Sequence, residues 1–224
     1  MAMKNLNRYI EHTILKPDVI QKDIEKTIAE GIDHQFMGVC VPPFWVKSAR
    51  KLIGDNNLQL VTIAGFPLGY NQTEIKLSEI SQAIDEGADE VDIVWNLSAF
   101  KSGMPWAKID IAKCSNLLHD HQKLLKVIIE TAYLNDEEIK QACEICRDAG
   151  ADFVKTSTGF AASGAKIEHV KLMRSVLPSN IGIKAAGGIR DFEMAIALIE
   201  AGADRIGTSS GVKIMQAAKS SADK

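Results

Sequence analysis

Short apolar segments alternate with longer amphipathic segments along the whole of this 224-residue sequence. The short segments have the length and composition of β-strands, and we predict them at residues 9–14, 36–41, 58–64, 90–95, 124–130, 152–157, 181–185 and 205–208. A segment with helical periodicity follows each one, which predicts helices near residues 19–29, 44–53, 72–86, 106–120, 136–148, 166–176, 191–200 and 211–218. Eight strand-helix units of about 25 to 30 residues match the arithmetic of a compact (β/α)8 barrel.

The alternation alone is also compatible with an open, doubly wound parallel sheet. Two features favour the barrel: the predicted strands are short, and several carry polar residues at alternate positions, where a doubly wound sheet is apolar on both faces. We therefore predict an α/β protein with one (β/α)8 TIM-barrel domain at residues 1–216, followed by a flexible polar tail at residues 217–224. The triplet Gly-Ala-Asp, at residues 87–89, 150–152 and 202–204, precedes three of the strands and predicts helix ends.

Composition restricts the class of protein. The 46% hydrophobic content supports one large core, and the net charge of −3 without a basic stripe argues against a nucleic-acid partner. No apolar run reaches the length of a membrane span, and the first residues lack the pattern of a signal peptide, so we expect a cytoplasmic protein without a membrane partner. The four cysteines do not suggest a disulfide framework, and the Cys143-x-x-Cys146 pair lies in a predicted helix without a second ligand pair.

Polar residues occupy one parity of four consecutive predicted strands. Asp92 alternates with the apolar residues of its strand, and the same count turns Lys126, Lys155 and Lys184 to the opposite side from their apolar neighbours. In a barrel that side is the interior, and active sites lie at the carboxyl ends of the strands. The pattern predicts one cavity that contains a carboxylate and three lysines.

Lys155 and Lys184 are one repeat unit apart, so we expect them on adjacent strands with backbones separated by roughly 5 Å. When two ammonium groups lie so close together, their repulsion disfavours the state in which both are protonated. One of the two lysines should therefore lose its proton more easily, and its neutral amine can attack carbonyl groups. Lys155 lies in the more apolar segment, beside Phe153 in parity. Spacing alone leaves open which of the two lysines is the nucleophile.

Glycine-rich and hydroxyl-rich turns follow three of the last strands. Backbone N–H groups in such turns, together with helix N-termini, bind phosphate, and in barrels the loops after strands seven and eight are the usual phosphate site. The residues that we predict for phosphate binding are Gly159, Gly187, Gly188, Gly207, Ser209 and Ser210.

Six motifs occur in order between about residues 9 and 212: HTILKPD at 12–18, GFPLG at 65–69, LKVIIET at 125–131, KTSTG at 155–159, KAAGGIR at 184–190 and RIGTSS at 205–210. This set resembles the deoxyribose-phosphate aldolase family. The resemblance implies a class I aldolase without a metal or other cofactor, which reversibly cleaves 2-deoxy-D-ribose 5-phosphate to D-glyceraldehyde 3-phosphate and acetaldehyde in deoxyribonucleotide catabolism.

The resemblance also implies roles for individual residues. Lys155 would form the Schiff base, Lys184 would make Lys155 easier to deprotonate, and Asp92 would relay protons with Lys184 and a water. Thr13 and Thr158 are expected to contact substrate hydroxyls. Lys126, inward on strand five, and Cys40, inward on strand two, are expected near the site, although Cys40 is equally compatible with a plain core residue.

Two positions depart from the family pattern. The family usually has Asp where this chain has Glu11, and some members carry a C-terminal tyrosine that helps to protonate the enamine, whereas residues 217–224 contain none.

Another Schiff-base barrel enzyme for phospho-sugars and a non-catalytic sugar-phosphate binder are the alternative functions. Two adjacent lysines disfavour the binder, since their repulsion would have no purpose there. The sequence leaves a monomer and a homodimer open.

Overall fold

Eight parallel strands close into a barrel in the computed structural model, which describes residues 2–222 of the chain. The strands are β1 (Ile10–Thr13), β2 (Gly38–Cys40), β3 (Gln59–Ala64), β4 (Glu90–Val94), β5 (Leu124–Ile128), β6 (Phe153–Lys155), β7 (Gly182–Ala186) and β8 (Arg205–Thr208). Each strand pairs with the next, and β8 pairs with β1, with Ile10 opposite Ile206 and His12 opposite Thr208. The predicted barrel is confirmed, and the open doubly wound sheet is excluded.

Helices surround this barrel and connect its strands. In the described part of the chain they are α1 (Gln21–Asp33), α2 (Val46–Ile53), α3 (Thr73–Asp85), α4 (Leu97–Lys101), α5 (Trp106–Asp120), α6 (Asp136–Asp148), α7 (Ile167–Val176), α8 (Phe192–Glu200) and α9 (Gly211–Ala222). Short 3₁₀ helices lie at Ala2–Tyr9, Pro43–Trp45 and Thr131–Tyr133. The short α4, after β4, and the helical turns before β1 were not predicted.

The C-terminal boundary differs from the prediction. Helix α9 continues through Ala222, so residues 217–222 of the predicted tail are helical. The reason lies in the local sequence: Ala217, Ala218 and Lys219 are good helix formers, and neither glycine nor proline interrupts residues 212–222. Residues 223 and 224 lie outside the described residues.

Strand parity separates an apolar outer layer from a mostly charged interior. Outward side chains such as Val91, Ile93 and Val127 are fully buried in the main core between the strands and the helices. Inside the barrel, Cys40, Val61 and Ile63 form a smaller apolar cluster on β2 and β3. The remaining strands turn buried charged residues inward, and these residues form the site described below.

The Gly-Ala-Asp triplets end helices, as predicted. Gly87, Gly150 and Gly202 adopt left-handed backbone angles, with φ of 100°, 85° and 112°, after α3, α6 and α8. The aspartates of the triplets have a role that sequence analysis did not predict. Each accepts a hydrogen bond, at 2.8 Å, from the backbone N–H of a residue on the preceding strand; the pairs are Asp89 with Leu60, Asp152 with Leu125 and Asp204 with Ile183.

The Cys143-x-x-Cys146 pair is part of the hydrophobic core. Both side chains are free thiols on α6 and fully buried. Burial raises the pKa of the Cys143 thiol to about 12, so the thiolate that metal binding or redox exchange needs is scarce at neutral pH. Among the described residues, no helix combines the length and the apolar character needed to cross a bilayer.

Candidate active site

A cavity of about 310 Å³ opens at the carboxyl ends of the strands. It is the end of the barrel at which the sequence placed the site. Eight of the predicted site residues line it, and these are Thr13, Lys155, Thr158, Gly159, Gly187, Gly188, Gly207 and Ser209. Below its floor lie the other buried groups of the prediction, namely Glu11, Cys40, Asp92, Lys126 and Lys184.

Asp92 contacts all three predicted lysines. Its Oδ2 accepts hydrogen bonds from Nζ of Lys155 and from Nζ of Lys184, each at 2.8 Å. Its Oδ1 accepts a third from Nζ of Lys126, at 3.1 Å. The strand register explains this convergence, since Asp92 is paired with Lys126 across β4 and β5, and Lys155 with Lys184 across β6 and β7. The predicted convergence of one carboxylate and three lysines is confirmed, but of these four residues only Lys155 lines the cavity.

Six of the interior charges form a closed ring of alternating sign, which we call the charge ring. In the order in which they contact one another, its members are Arg205, Glu11, Lys184, Asp92, Lys126 and Glu90. The ring closes because Glu90 contacts Arg205. The Arg205–Glu11 contact is 3.2 Å and the Arg205–Glu90 contact is 3.5 Å. The guanidinium of Arg205 also lies 5.2 Å from the ring centroid of Phe153, which confirms that Phe153 faces the interior.

Lys155 stands outside the charge ring and is bound to it only through Asp92. The ring contains three cations and three anions, so Lys155 adds a fourth, unbalanced positive charge to the interior. It is also the one of the three predicted lysines that lines the cavity. The structure therefore distinguishes the two lysines that spacing alone could not order, because Lys155 is the amine that a molecule in the cavity would meet.

The contacts shift the protonation equilibria of the ring. Burial alone would raise the pKa of Asp92, but the ammonium groups of Lys126, Lys155 and Lys184 outweigh it and hold that pKa well below its usual range. Burial alone would lower the pKa of Lys184, but the carboxylates of Asp92 and Glu11 outweigh it and raise that pKa. Lys184 is therefore held in its charged form by its two carboxylate partners.

Glu11, the departure from the family pattern, is a full member of the charge ring. Its Oε2 contacts Nζ of Lys184, and its Oε1 contacts Arg205 at 3.2 Å and Lys126 at 3.5 Å. Burial opposes its ionisation, but Lys126, Lys184 and Arg205 outweigh burial and lower the pKa of the Glu11 carboxyl. The longer side chain is thus accommodated by pairing on two sides.

The predicted phosphate loops form one wall of the cavity. Gly159, Gly187 and Gly188 have φ of 87°, 88° and 78°, a region that L side chains rarely adopt. A Cβ on Gly187 would lie 3.0 Å from Cα of Gly164 and 3.4 Å from Cα of Gly159, so the two loops touch through glycine. Ser210 precedes α9, and its N–H donates to Oγ1 of Thr208.

Residues 7–217 match the sequence profile of the DeoC/LacD family aldolases. The chain belongs to this aldolase family. It is 50% identical over 216 residues to a deoxyribose-phosphate aldolase of Brevibacillus brevis, which covers 96% of this chain and 97% of the relative. It is 47% identical over 222 residues to the deoxyribose-phosphate aldolase of Thermococcus gammatolerans, which covers 98% of this chain and 99% of the relative.

Solved structures agree with this membership. The aldolase QR15 superposes with a TM-score of 0.90 at 46% identity, over 95% of each chain. The tetrameric deoxyribose phosphate aldolase of Aeropyrum pernix superposes with a TM-score of 0.91 at 32% identity, over 97% of this chain and 92% of that one.

Three further predicted residues of this family member have defined surroundings. The Thr158 N–H and hydroxyl both donate to Oε2 of Glu130, and the Thr13 hydroxyl donates to the backbone oxygen of Glu11. Cys40 lies in the apolar cluster inside the barrel, and burial raises its pKa to about 11. That environment is the one expected of a core cysteine.

Sequence analysis missed four residues of the aldolase site. Glu90 and Arg205 share the inward parity of their strands but lie at the strand beginnings, at the end of the barrel opposite to the one where active sites lie. Lys16 and Arg190 line the cavity beside the phosphate loops. Both were present in the recognised motifs, and their positive charge next to an expected anion was the signal that could have identified them.

Proposed function

We propose that this chain is a class I aldolase that reversibly cleaves 2-deoxy-D-ribose 5-phosphate to D-glyceraldehyde 3-phosphate and acetaldehyde. The observation that carries the proposal is the lysine pair on one carboxylate: Lys155 lines the cavity, and its Nζ and that of Lys184 share Oδ2 of Asp92. The relatives named for this activity are 46–50% identical over almost their whole length, which supports the same reaction here.

The reaction begins with a Schiff base on Lys155. The neutral amine attacks C1 of the open-chain sugar, and the resulting carbinolamine loses its oxygen as water to give an iminium ion. The charged Lys184 ammonium and the Asp92 carboxylate lie within hydrogen-bond distance of one another. They supply the proton donor and acceptor that carbinolamine formation and dehydration need.

Cleavage follows from the iminium ion. A base takes the proton of the C3 hydroxyl, the C2–C3 bond breaks, and its electron pair moves to the iminium nitrogen, which gives an enamine and free D-glyceraldehyde 3-phosphate. Asp92 is a weak base because three ammonium groups surround it. We therefore assign it a relay role, in which Asp92 and the charged Lys184 orient a water molecule that takes the proton.

The enamine then takes a proton at carbon, and water hydrolyses the acetaldehyde iminium to release acetaldehyde and the free Lys155 amine. Water held by Asp92 and Lys184 is the donor that we propose for this proton.

The phosphate group is proposed to bind where the two glycine loops meet. Gly187, Gly188 and Ser209 line this part of the cavity, and Lys16 and Arg190 add two positive charges. Backbone N–H groups at left-handed glycines can approach an anion closely, and the cations add Coulomb attraction. Thr13 and Thr158 remain the proposed partners of the substrate hydroxyls.

The biological setting is part of the same proposal. An enzyme for deoxyribose 5-phosphate fits deoxyribonucleotide catabolism, and we propose a cytoplasmic location for it. Light scattering coupled to size-exclusion chromatography distinguishes the monomer and the homodimer that the sequence leaves open.

The proposal is tested by following both products. Purified protein with deoxyribose 5-phosphate is expected to release acetaldehyde and D-glyceraldehyde 3-phosphate in equal amounts, and prior dialysis against EDTA should leave the rate unchanged. Fructose 6-phosphate is the matched control, because a transaldolase-like enzyme would bind it and form a dihydroxyacetone imine. Turnover of fructose 6-phosphate alone would overturn the assignment, and binding of deoxyribose 5-phosphate without products would favour the sugar-phosphate binder.

A further inference from the structure

Glu90 and Arg205 lie at the amino-terminal beginnings of β4 and β8, away from the cavity. Glu90 is 2% exposed and Arg205 is 8% exposed, so two ionised groups are held in the interior far from bulk water. Burying such charges is costly unless each is paired on all sides. Neither residue takes part in the reaction proposed above, so catalysis by direct contact with the substrate does not explain their burial.

Both residues act on the catalytic layer through the charge ring. Glu90 contacts Lys126 on one side and Arg205 on the other, and Arg205 also contacts Glu11. Lys126 and Glu11 in turn contact Asp92 and Lys184. Glu90 is therefore two contacts away from Asp92, the carboxylate that binds Lys155, and Arg205 is three contacts away.

The interior charges lie on six of the eight strands of the barrel. The titratable and charged groups that face the interior or the cavity are Glu11 (β1), Cys40 (β2), Glu90 and Asp92 (β4), Lys126 (β5), Lys155 (β6), Lys184 (β7) and Arg205 (β8), with Lys16, Glu130 and Arg190 in the loops at the mouth. The described inward residues Val61 and Ile63 of β3 add no charge. In the strand layer, three carboxylates thus stand against four cations.

We propose that Glu90 and Arg205 are positioning residues that keep the charge ring neutral, so that Lys155 is the single interior cation whose loss of a proton leaves the interior balanced. This inference rests on the proposed Schiff-base function. It assigns a purpose to two buried charges that never touch the substrate. A protonated Lys155 leaves the interior with an excess of one positive charge, and the neutral amine removes that excess.

The two residues should then affect Lys155 in opposite directions. Glu90→Gln removes a negative charge, so protonated Lys155 becomes less favourable and the neutral amine persists to lower pH. Arg205→Gln removes a positive charge, so protonated Lys155 becomes more favourable and the neutral amine appears only at higher pH. Lys126 keeps Glu11 and Asp92 as partners when Glu90 is replaced, and those contacts hold it charged.

The experiment follows the rate of imine formation against pH with acetaldehyde and cyanoborohydride. Acetaldehyde carries no titrating group, its oxygen leaves as water, and hydride from cyanoborohydride reduces the iminium to an ethyl group on Lys155, which peptide mass mapping separates from the ethylation of exposed lysines. The acid limb is the part of the pH profile in which the rate of imine formation falls as pH falls. We expect this acid limb to move to lower pH by about one unit in Glu90→Gln and to higher pH by about one unit in Arg205→Gln.

Two matched variants separate charge from packing. Arg205→Lys keeps the charge and should leave the limb where the wild type has it. The double variant Glu90→Gln/Arg205→Gln removes one charge of each sign, and its limb should return to the wild-type position. It also buries no unpaired charge, so it remains available if a single variant fails to fold.

Failure of this inference and failure of the proposed function give different results. A wild type that is never ethylated at Lys155 contradicts the Schiff-base function itself. A wild type that is ethylated, with single-variant limbs that do not move or that move in the same direction, overturns the inference alone. A double variant whose limb stays displaced, in a protein that unfolds cooperatively, also overturns it.

Discussion

Lys155 and Lys184 are register partners on adjacent parallel strands, and both donate to the same oxygen, Oδ2 of Asp92, at 2.8 Å. One carboxylate therefore serves two amines of different accessibility. Lys155 lines the cavity, whereas Lys184 lies below it between Asp92 and Glu11. Lys155, the proposed Schiff-base residue, and the charged Lys184 are thus linked through one carboxylate oxygen.

Replacement of Glu11 tests its place in the charge ring. Glu11→Gln should lower kcat by about 10- to 100-fold, because the ring loses a charge and Lys184 loses the partner that holds it over Asp92. It should also lower the free energy of unfolding by about 3 kcal/mol, because Lys184 and Arg205 are left partly unpaired in the interior. Steady-state kinetics and urea unfolding measure both effects.

The matched variant is Glu11→Asp, which keeps the charge and restores the residue that is usual in the family. It should retain most of the activity of the wild type. Equal losses of activity in Glu11→Asp and Glu11→Gln would show that side-chain length, not charge, is what Glu11 contributes.

The two adjacent glycines of the β7 loop provide a matched pair. Gly187→Ala should raise KM for deoxyribose 5-phosphate by about tenfold, because its Cβ would press on Gly164 and Gly159 and separate the phosphate loops. Gly188→Ala meets no atom within 4 Å and bears only the backbone strain of its positive φ, about 1 kcal/mol. Its KM should change less. Ethylation by acetaldehyde, which needs no phosphate site, should proceed normally in both, and a loss there would argue against a phosphate-specific role.

Stability should fall on the acid side of neutrality. The folded state lowers the pKa of Asp92 and of Glu11 below their ordinary values of 3.8 and 4.5. Their contribution to stability is therefore present above those ordinary values and is lost as pH falls through the lower folded values. Urea unfolding between pH 2 and 7 should show about the same free energy down to pH 5 and a decline below pH 4. The decline should be shallower in Glu11→Gln, and an equally steep decline would contradict the pKa direction for Glu11.

A second buried ion pair, outside the barrel interior, makes a prediction about stability alone. Nζ of Lys76 on α3 contacts Asp110 on α5 and donates to the backbone oxygen of Val94 at 2.8 Å. Asp110→Ala should lower the free energy of unfolding by about 3–5 kcal/mol, because Lys76 is then buried without its counter-charge. The double variant Lys76→Met/Asp110→Leu should lose much less.

The exposed pair of Lys113 and Glu74, 3.6 Å apart, is the matched control for this buried pair. Glu74→Ala should change the free energy of unfolding by less than about 1 kcal/mol, since exposed ion pairs contribute little. If Glu74→Ala and Asp110→Ala cost the same, burial would not be the cause of the larger effect.

Sequence analysis could predict the barrel and the centre of its site because both depend on local periodicity. Period-two alternation turned Asp92, Lys126, Lys155 and Lys184 to one side, and the repeat length placed them on consecutive strands. The predicted convergence is confirmed by the contacts of Asp92. The glycine loops could be predicted as phosphate-binding loops because barrels usually bind phosphate in the loops after the seventh and eighth strands.

The remaining features depend on contacts between residues that are distant in sequence. Nothing near Glu90 indicates that it meets Arg205, 115 residues later, because that contact exists only once β8 closes on β1. The order of the two lysines was undecidable for the same reason, since it depends on which amine reaches the cavity and which is held between two carboxylates. The end of α9 was misplaced because a polar composition was given more weight than helix propensity.

The central claim is that Lys155 forms the covalent intermediate. Intact mass after incubation with deoxyribose 5-phosphate and borohydride, in the wild type, Lys155→Ala and Lys184→Ala, tests it most directly. We predict an adduct in the wild type that maps to Lys155, a weaker adduct at the same residue in Lys184→Ala, and none in Lys155→Ala. An adduct that persists in Lys155→Ala and disappears in Lys184→Ala would contradict the assignment of the two lysines.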